Sequence, residues 1–136
     1  MIKSLKEIAV PELRKRNFKG SFPHFRKTEK GKTNLLTFQF DRKGGGFIIE
    51  LANWHKSEFK THWGKVIPLN KLIAHDLNER QRIYPNTITE KYGTDSWFRY
   101  DKKNILDFRD KYDKLSKKVV DRIPIMEKYW NGIDVI

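Results

Sequence analysis

The chain has 136 residues, the size of one domain, and its 29 Lys and Arg against 17 Asp and Glu give a net charge of +12. Hydrophobic residues make up 38% of the chain and aromatic residues 13%, which is enough for a folded core and excludes global disorder. The absence of cysteine excludes thiol catalysis and disulfides, and no apolar run approaches the roughly 18 residues of a membrane span.

Residues 2–16 predict an N-terminal helix. Their apolar side chains recur at helical spacing, at Ile2, Leu5, Ile8, Ala9 and Leu13. Ser4 is a suitable N-cap, and Glu7 lies three residues later, where it completes a capping box. Pro11 interrupts the pattern, so the helix either starts late, with Pro11 in its first turn, or is kinked there.

Three strands are predicted next, over residues 22–28, 34–41 and 47–54. In the second and third of these, side chains alternate with a period of two between a more apolar face and a mixed face, which is typical of a sheet covered on one side. Glu50 belongs to the mixed face and is expected to face solvent. Between the two strands, Gly44, Gly45 and Gly46 supply the positive φ angles of a tight hairpin turn.

The middle of the chain is less regular. Residues 66–77 surround Pro68 and favour a short helix. Residues 96–100 predict a last strand, because aromatic side chains favour a pleated, half-buried surface.

A long helix closes the chain. Its apolar side chains are spaced three or four residues apart, at Ile105, Phe108, Tyr112, Leu115, Val119, Ile123, Met126 and Trp130. Asn104 is expected to cap the helix, Pro124 to break it and Gly132 to end it. Together the elements predict a single α+β domain over residues 1–136, with an antiparallel sheet of three to five strands packed against an N-terminal helix and a long C-terminal helix.

The sequence offers little enzyme chemistry. The four histidines (His24, His55, His62 and His75) are scattered without metal-ligand spacing, so we expect no metal site. Asp41 followed by Glu50-Leu51-Ala52 is similar to the carboxylates of one metal-dependent nuclease family, but alanine stands where that family has a lysine. We therefore expect no catalytic residue and no cofactor, and the alternative is a metal-dependent nuclease or another enzyme with an unrecognised site.

The positive charge is concentrated near the N-terminus, where residues 1–32 hold ten of the Lys and Arg against three acidic residues. Such a field attracts polyanions, so the predicted partner is nucleic acid or an acidic protein, and a membrane is not expected. The candidate polyanion-binding residues are Arg14, Lys15, Arg16, Lys19, Arg26 and Lys27. Without cysteine or a secretory signal, the protein is expected in the cytoplasm, with no expectation for its oligomeric state.

Aromatic residues alternate with basic ones in residues 53–65 and 97–100. Such mixtures can bind single-stranded nucleic acid, because bases stack on aromatic rings while cations contact phosphates. Tryptophan in a small domain also builds the core. The core interpretation is favoured, and the binding surface stays open as an alternative.

The order of several short motifs resembles a family of small bacterial proteins, catalogued as the domain of unknown function number four-three-zero-four. The motifs are residues 11–19 (Pro-Glu-Leu-Arg-Lys-Arg-Asn-Phe-Lys), 25–27 (Phe-Arg-Lys), 36–39 (Leu-Thr-Phe-Gln), 80–83 (Arg-Gln-Arg-Ile) and 95–98 (Asp-Ser-Trp-Phe). Asn17 stands where the family usually has glycine. The resemblance implies an α+β fold and a bacterial source, and it implies no activity. By analogy, some domains of this kind resemble immunity proteins encoded beside toxins.

Overall fold

The computed structural model describes residues 1–86, 93–101 and 108–133. Its helices are α1 (Ile2–Ser4), a π-helical turn (Leu5–Ala9), α2 (Val10–Lys15), α3 (Phe108–Asp121) and α4 (Ile123–Trp130). Its strands are β1 (Lys19–Ser21), β2 (His24–Glu29), β3 (Lys32–Phe40), β4 (Gly46–Trp54), β5 (Phe59–Lys60), β6 (Val66–Ile67), β7 (Gln81–Ile83) and β8 (Phe98–Arg99). The predicted cap at Asn104 and the predicted core positions Ile105 and Phe108 lie outside the residues whose side chains are described.

The described strands form a six-stranded antiparallel sheet and a separate two-stranded hairpin. The order in the sheet is β1-β2-β3-β4-β7, with β8 pairing to β4 further along the same edge, and β5 pairs with β6. This arrangement confirms the α+β class predicted from the sequence. The short strands β1 and β8 extend the sheet past the expected three to five strands.

The N-terminal helix is continuous from Ile2 to Lys15 and contains a π-helical turn immediately before α2. Pro11 lies in the first turn of α2, directly after the π-helical turn, so the expectation that the helix starts late is wrong. The prediction of Ser4 as an N-cap is wrong. Ser4 lies inside the helix and is buried, and its hydroxyl donates to Asp113 Oδ1 at 2.7 Å and lies 2.9 Å from Ser116 Oγ. The side chain therefore joins two helices and caps neither.

The helices cover one face of the sheet and form the main core with it. The buried members of this core include Leu5 and Leu13 from the N-terminal helix, Phe25, Leu36, Phe38, Ile49 and Leu51 from the sheet, and Val119, Ile123, Met126 and Trp130 from the C-terminal helices. The break between α3 and α4 falls at Arg122, two residues before Pro124, as predicted. Gly132 follows α4 with a φ of +76°, which confirms the predicted end of the helix.

The second face of the sheet is covered as well, so the prediction of a one-sided sheet is wrong. One buried cluster there consists of Leu35, Ala52, Phe59, Leu72, Ala74 and Leu77, and another consists of Ile48, Tyr84 and Trp97. Two 3-10 turns, Leu69–Lys71 and Ala74–Asp76, supply part of the cover in place of the predicted short helix. Among the described residues, no helix is long and apolar enough to cross a bilayer.

Candidate functional site

A depression of about 640 Å³ lies where three chain turns meet: the end of α2, the β2–β3 turn and the end of α4. We call it the basic groove. Its cationic lining residues are Arg16, Lys27, Lys30 and Lys32, its acidic ones are Glu29 and Glu127, and His55 lines it as well. The groove floor includes Phe18 and Trp130, whose rings pack with centroids 4.9 Å apart.

Local structure explains why the cations converge there. Lys30 and Gly31 form the tight β2–β3 turn with φ angles of +52° and +76°, and this turn carries Lys30 and Lys32 to one end of the sheet. The Lys32 ammonium donates to the carbonyl of Trp130, at the end of α4, where the helix dipole favours a cation. Arg16 follows the last residue of α2 and donates from Nε to Glu127 Oε1 at 3.0 Å.

The groove keeps an excess of positive charge after its internal ion pairs are formed. Glu127 pairs with Arg16, and Glu29 pairs with Lys27 at 3.3 Å. Lys30 is exposed at the rim. Asn34 Oδ1 is buried in the groove lining without a hydrogen-bond partner. The groove can therefore accept anionic groups at Lys30 and neighbouring cations.

A side depression of about 710 Å³ adjoins the basic groove, and the two share Asn17, Lys27 and Glu29. Lys19 and Arg26 lie in the side depression and face each other across the β1–β2 pair. Burial lowers the pKa of Arg26, whose Nε donates to the Leu72 carbonyl at 3.1 Å. The structure thus places four of the six predicted polyanion-binding residues (Arg16, Lys19, Arg26 and Lys27) around two adjoining depressions.

The other two predicted residues are placed differently. Arg14 donates to the carbonyls of Phe18 and Gly20, at 3.2 and 2.6 Å, and its guanidinium lies over the Phe25 ring. Arg14 therefore holds the end of α2 onto β1. Lys15 is exposed and pairs with Glu12 at 3.0 Å on the helix surface. Neither side chain lines the basic groove or the side depression.

Sequence reasoning missed Lys30, Lys32 and His55. These residues come from two chain segments that meet the end of α2 only in the folded protein. A local signal was available, because Lys30-Gly31-Lys32 separates two predicted strands and such a turn presents its side chains outward.

The aromatic segments divide between core and surface. Trp97 and Trp130 are 7% and 3% exposed and belong to buried clusters, and Trp54 is half-buried against Phe59. Trp63 is 68% exposed, at the tip of the β5–β6 hairpin. Residues 97–98 therefore belong to the core, and Trp63 is exposed to solvent.

Beneath that tip lies a depression of about 800 Å³, which we call the hairpin pocket. Its lining residues include Trp54, Phe59, Lys60, His62, Trp63 and Lys65. The hairpin pocket and the basic groove share no described lining residue, and consecutive residues at the end of β4 line one depression each: Trp54 the pocket and His55 the groove.

A buried carboxylate cluster lies on the second face of the sheet. Glu50 is 2% exposed, so its predicted solvent-facing position is wrong. Its Oε2 lies 3.0 Å from Arg80 Nε and 3.6 Å from His75 Nε2, and its Oε1 lies 3.5 Å from Arg82 Nε. The cluster offsets the cost of burying a carboxylate by surrounding it with cationic groups.

Two histidines that looked isolated in the sequence meet at this cluster. His24 Nδ1 lies 2.9 Å from Thr37 Oγ1, and the His24 and His75 rings pack edge to face at 6.0 Å. Burial, with a smaller effect from His75 and Arg26, lowers the pKa of His24 below its ordinary value. His24 and His75, far apart in the sequence, are therefore neighbours in the folded protein.

The two carboxylates considered for a nuclease do not form a pair. Asp41 Oδ2 accepts from Arg99 Nη1 at 2.9 Å, and this bond, followed by one from the Lys43 N–H, lowers the pKa of Asp41. Glu50 pairs with other arginines, Arg80 and Arg82. Its partner in the β3–β4 register is Thr37, which lies several residues before Asp41 along the chain. In the described part of the chain, no group of three or more His, Asp or Glu side chains is arranged to hold a metal ion.

Comparison with known proteins gives one match. A family model described as "Domain of unknown function (DUF4304)" matches residues 9–127, from the end of the π-helical turn to α4. The matched range includes the basic groove cations, the hairpin pocket and the carboxylate cluster. No curated protein and no solved structure matches the chain.

Proposed function

The chain belongs to the DUF4304 family, whose description assigns no function, and from its surface we propose that it is a non-enzymatic binding domain for nucleic acid. In this proposal the basic groove and the side depression contact the phosphate backbone. The observation that carries the proposal is the convergence of Arg16, Lys27, Lys30 and Lys32 in one groove from separate turns of the chain.

The chemistry of the groove suits a phosphate chain. Lysine and arginine bind phosphates as cations and release the counterions that surround nucleic acid, which favours binding at low salt. The net charge of +12 adds a long-range attraction for any polyanion. The side depression continues the cationic lining through Lys19 and Arg26, so a linear polyanion can contact both depressions.

One feature supports nucleic acid as the polyanion. An exposed tryptophan beside lysines supplies a ring face on which a base can stack while the cations contact phosphates. An acidic protein partner, including a toxin held by an immunity protein, remains an outcome of the experiment below.

The carboxylate placements support binding without catalysis. Asp41 and Glu50 are each occupied by arginine, and a nuclease metal ion needs carboxylates free to coordinate it. We therefore assign no catalytic role to either residue.

Fluorescence anisotropy with labelled oligonucleotides tests the proposal. The salt concentration is varied from about 50 to 200 mM, because affinity that depends on phosphate contacts falls steeply over this range. The test variant is Lys27→Glu combined with Lys30→Glu. The matched control is Arg42→Glu combined with Lys43→Glu, in the exposed turn at the opposite end of β3. Losing two phosphate contacts should reduce the log–log salt slope by about 1.4 on single strands.

The groove variant should bind more weakly than the control variant at every salt concentration. Equal losses in both variants would show that net charge alone attracts the oligonucleotide and that the groove has no special role. No binding by the wild-type protein at low salt would exclude nucleic acid, and an acidic protein would then be the partner to seek.

A further inference from the structure

Trp63 is exposed to solvent in a turn that three hydrogen bonds close. The Thr61 N–H donates to the Lys65 carbonyl at 2.8 Å, the Lys65 N–H donates to Thr61 Oγ1 at 2.9 Å, and the Gly64 N–H donates to the Thr61 carbonyl at 2.9 Å. The φ of +93° at Gly64 suits glycine alone among the common residues of such a turn. The His62 ring packs edge to face on the indole at 4.6 Å. The turn therefore places the indole on the surface of the protein.

An exposed tryptophan is unusual, because the indole is the largest apolar side chain and normally contributes to a core or an interface. The other three tryptophans of the chain are buried or half-buried. Trp63 is 68% exposed beside its edge-to-face contact with His62, so much of the indole surface is open to a ligand.

The surroundings of Trp63 indicate the chemistry of that ligand. Lys60, Lys65 and His62 line the hairpin pocket with the indole, and Asn53 and Asn78 add amide groups that both donate and accept. Asp76 and Glu79 also line the pocket, and Asp76 Oδ2 already accepts from the Ile73 N–H at 2.9 Å. The volume of about 800 Å³ lies within the roughly 300–1,000 Å³ range of small-ligand sites.

A flat apolar ring, nearby cations and amide groups fit an unpaired nucleobase with its phosphate. In a duplex the base faces are stacked on each other and cannot reach an indole, whereas a single strand can turn a base outward. Trp54 and His55, consecutive at the end of β4, line the hairpin pocket and the basic groove, so both depressions lie at the same end of the sheet.

We infer that the partner is single-stranded nucleic acid and that one of its bases stacks on Trp63 in the hairpin pocket. The inference rests on the proposed function for the phosphate contacts and adds the class of strand that the protein selects. Sequence preference is expected to be slight, because every base has a ring face and stacking does not distinguish strongly between them.

The test compares an oligo(dT) single strand with a duplex of equal length, by anisotropy and by tryptophan fluorescence. The single strand should quench the emission of the exposed indole, and the quenching should disappear in Trp63→Ala. Trp63→Ala should weaken single-strand binding by roughly 5–150-fold, the range found for lost base stacking, and leave duplex binding unchanged. Trp63→Phe should restore part of the affinity, and the control Ile133→Ala, an exposed apolar residue after α4, should behave as wild type.

The outcomes separate this inference from the proposed function. Stacking on Trp63 would be overturned if the protein bound single strand and duplex with equal affinity and if Trp63→Ala bound as wild type. If the Lys27/Lys30 variant were still weakened, the groove proposal would stand. Binding of neither oligonucleotide by the wild-type protein would overturn both.

Discussion

Glu50→Gln tests whether the buried carboxylate cluster stabilises the second face of the sheet. Removing one partner of a buried ion pair costs about 3–5 kcal/mol, because the remaining charge loses its compensation. Here the side chains of Arg80 and Arg82 are 36% and 37% exposed, so water replaces part of the lost interaction. We therefore expect the free energy of unfolding to fall by about 2–3 kcal/mol.

Thermal unfolding followed by circular dichroism measures this loss. Unfolding entropy is about 2.1 cal/mol/K per residue, so in a chain of 136 residues each kcal/mol lowers Tm by about 3–4 °C. Glu50→Gln should therefore lower Tm by about 6–12 °C. The control is Glu7→Gln, whose exposed carboxylate lies 4.0 Å from Lys3 and whose loss should cost about 0–1 kcal/mol.

A second variant checks that the loss arises from the ion pair. The double variant Glu50→Gln and Arg80→Gln should lose less free energy of unfolding than the sum of the losses in the two single variants. The reason is that both single substitutions remove the same ion pair. A Glu50→Gln protein that melts within about 2 °C of wild type would refute the reasoning, since a buried carboxylate held by arginines cannot be replaced at so little cost.

Two further predictions concern packing and pH. Ile123→Ala should lower the free energy of unfolding by about 2–5 kcal/mol, because Ile123 is fully buried in the main core. Denaturant unfolding measures this loss. An unchanged unfolding midpoint would contradict the buried position of Ile123. The lowered pKa of His24 means that the unfolded chain binds a proton more readily than the folded protein, so stability should fall as the pH drops from about 6.5 through the folded-state pKa of His24. The neighbouring groups that affect this pKa are His75, Arg26 and Asp76. His24→Gln should flatten the decline in Tm over that pH range, and an equally steep decline in the variant would assign it to other groups.

The sequence predicted those features of the fold that rest on local pattern. The apolar stripe of the closing helix, its break before Pro124 and the positive φ angles of Gly44 and Gly45 between β3 and β4 all follow from spacing and from the conformational limits of single residues. The prediction is wrong for Gly46, which begins β4 and has no positive φ. The second covered face could not be predicted in this way. Its covering segment, residues 59–77, contains short irregular elements whose apolar side chains have no regular period.

The candidate sites show the same division. Arg16 and Lys27 were found because they lie in a run of basic residues, but the groove itself depends on three turns that meet only after folding. Glu50 was misplaced because strand alternation assigns it to the polar face, and its partners Arg80 and Arg82 lie about thirty residues away on β7 or just before it. Long-range pairing of this kind leaves no signal in a single sequence.

The π-helical turn has a consequence for changes in chain length. A π-helical turn contains one more residue than an α-helical turn, so deleting one residue from Leu5–Ala9 would restore regular α-helical geometry. Because the π-helical turn holds its extra residue within one wider turn, the residues before it keep the orientation that a shorter α-helix would give them. Ser4 would therefore still face Asp113 and Ser116 after the deletion. The segment can lose this one residue without changing which side of the first turn contacts the closing helix.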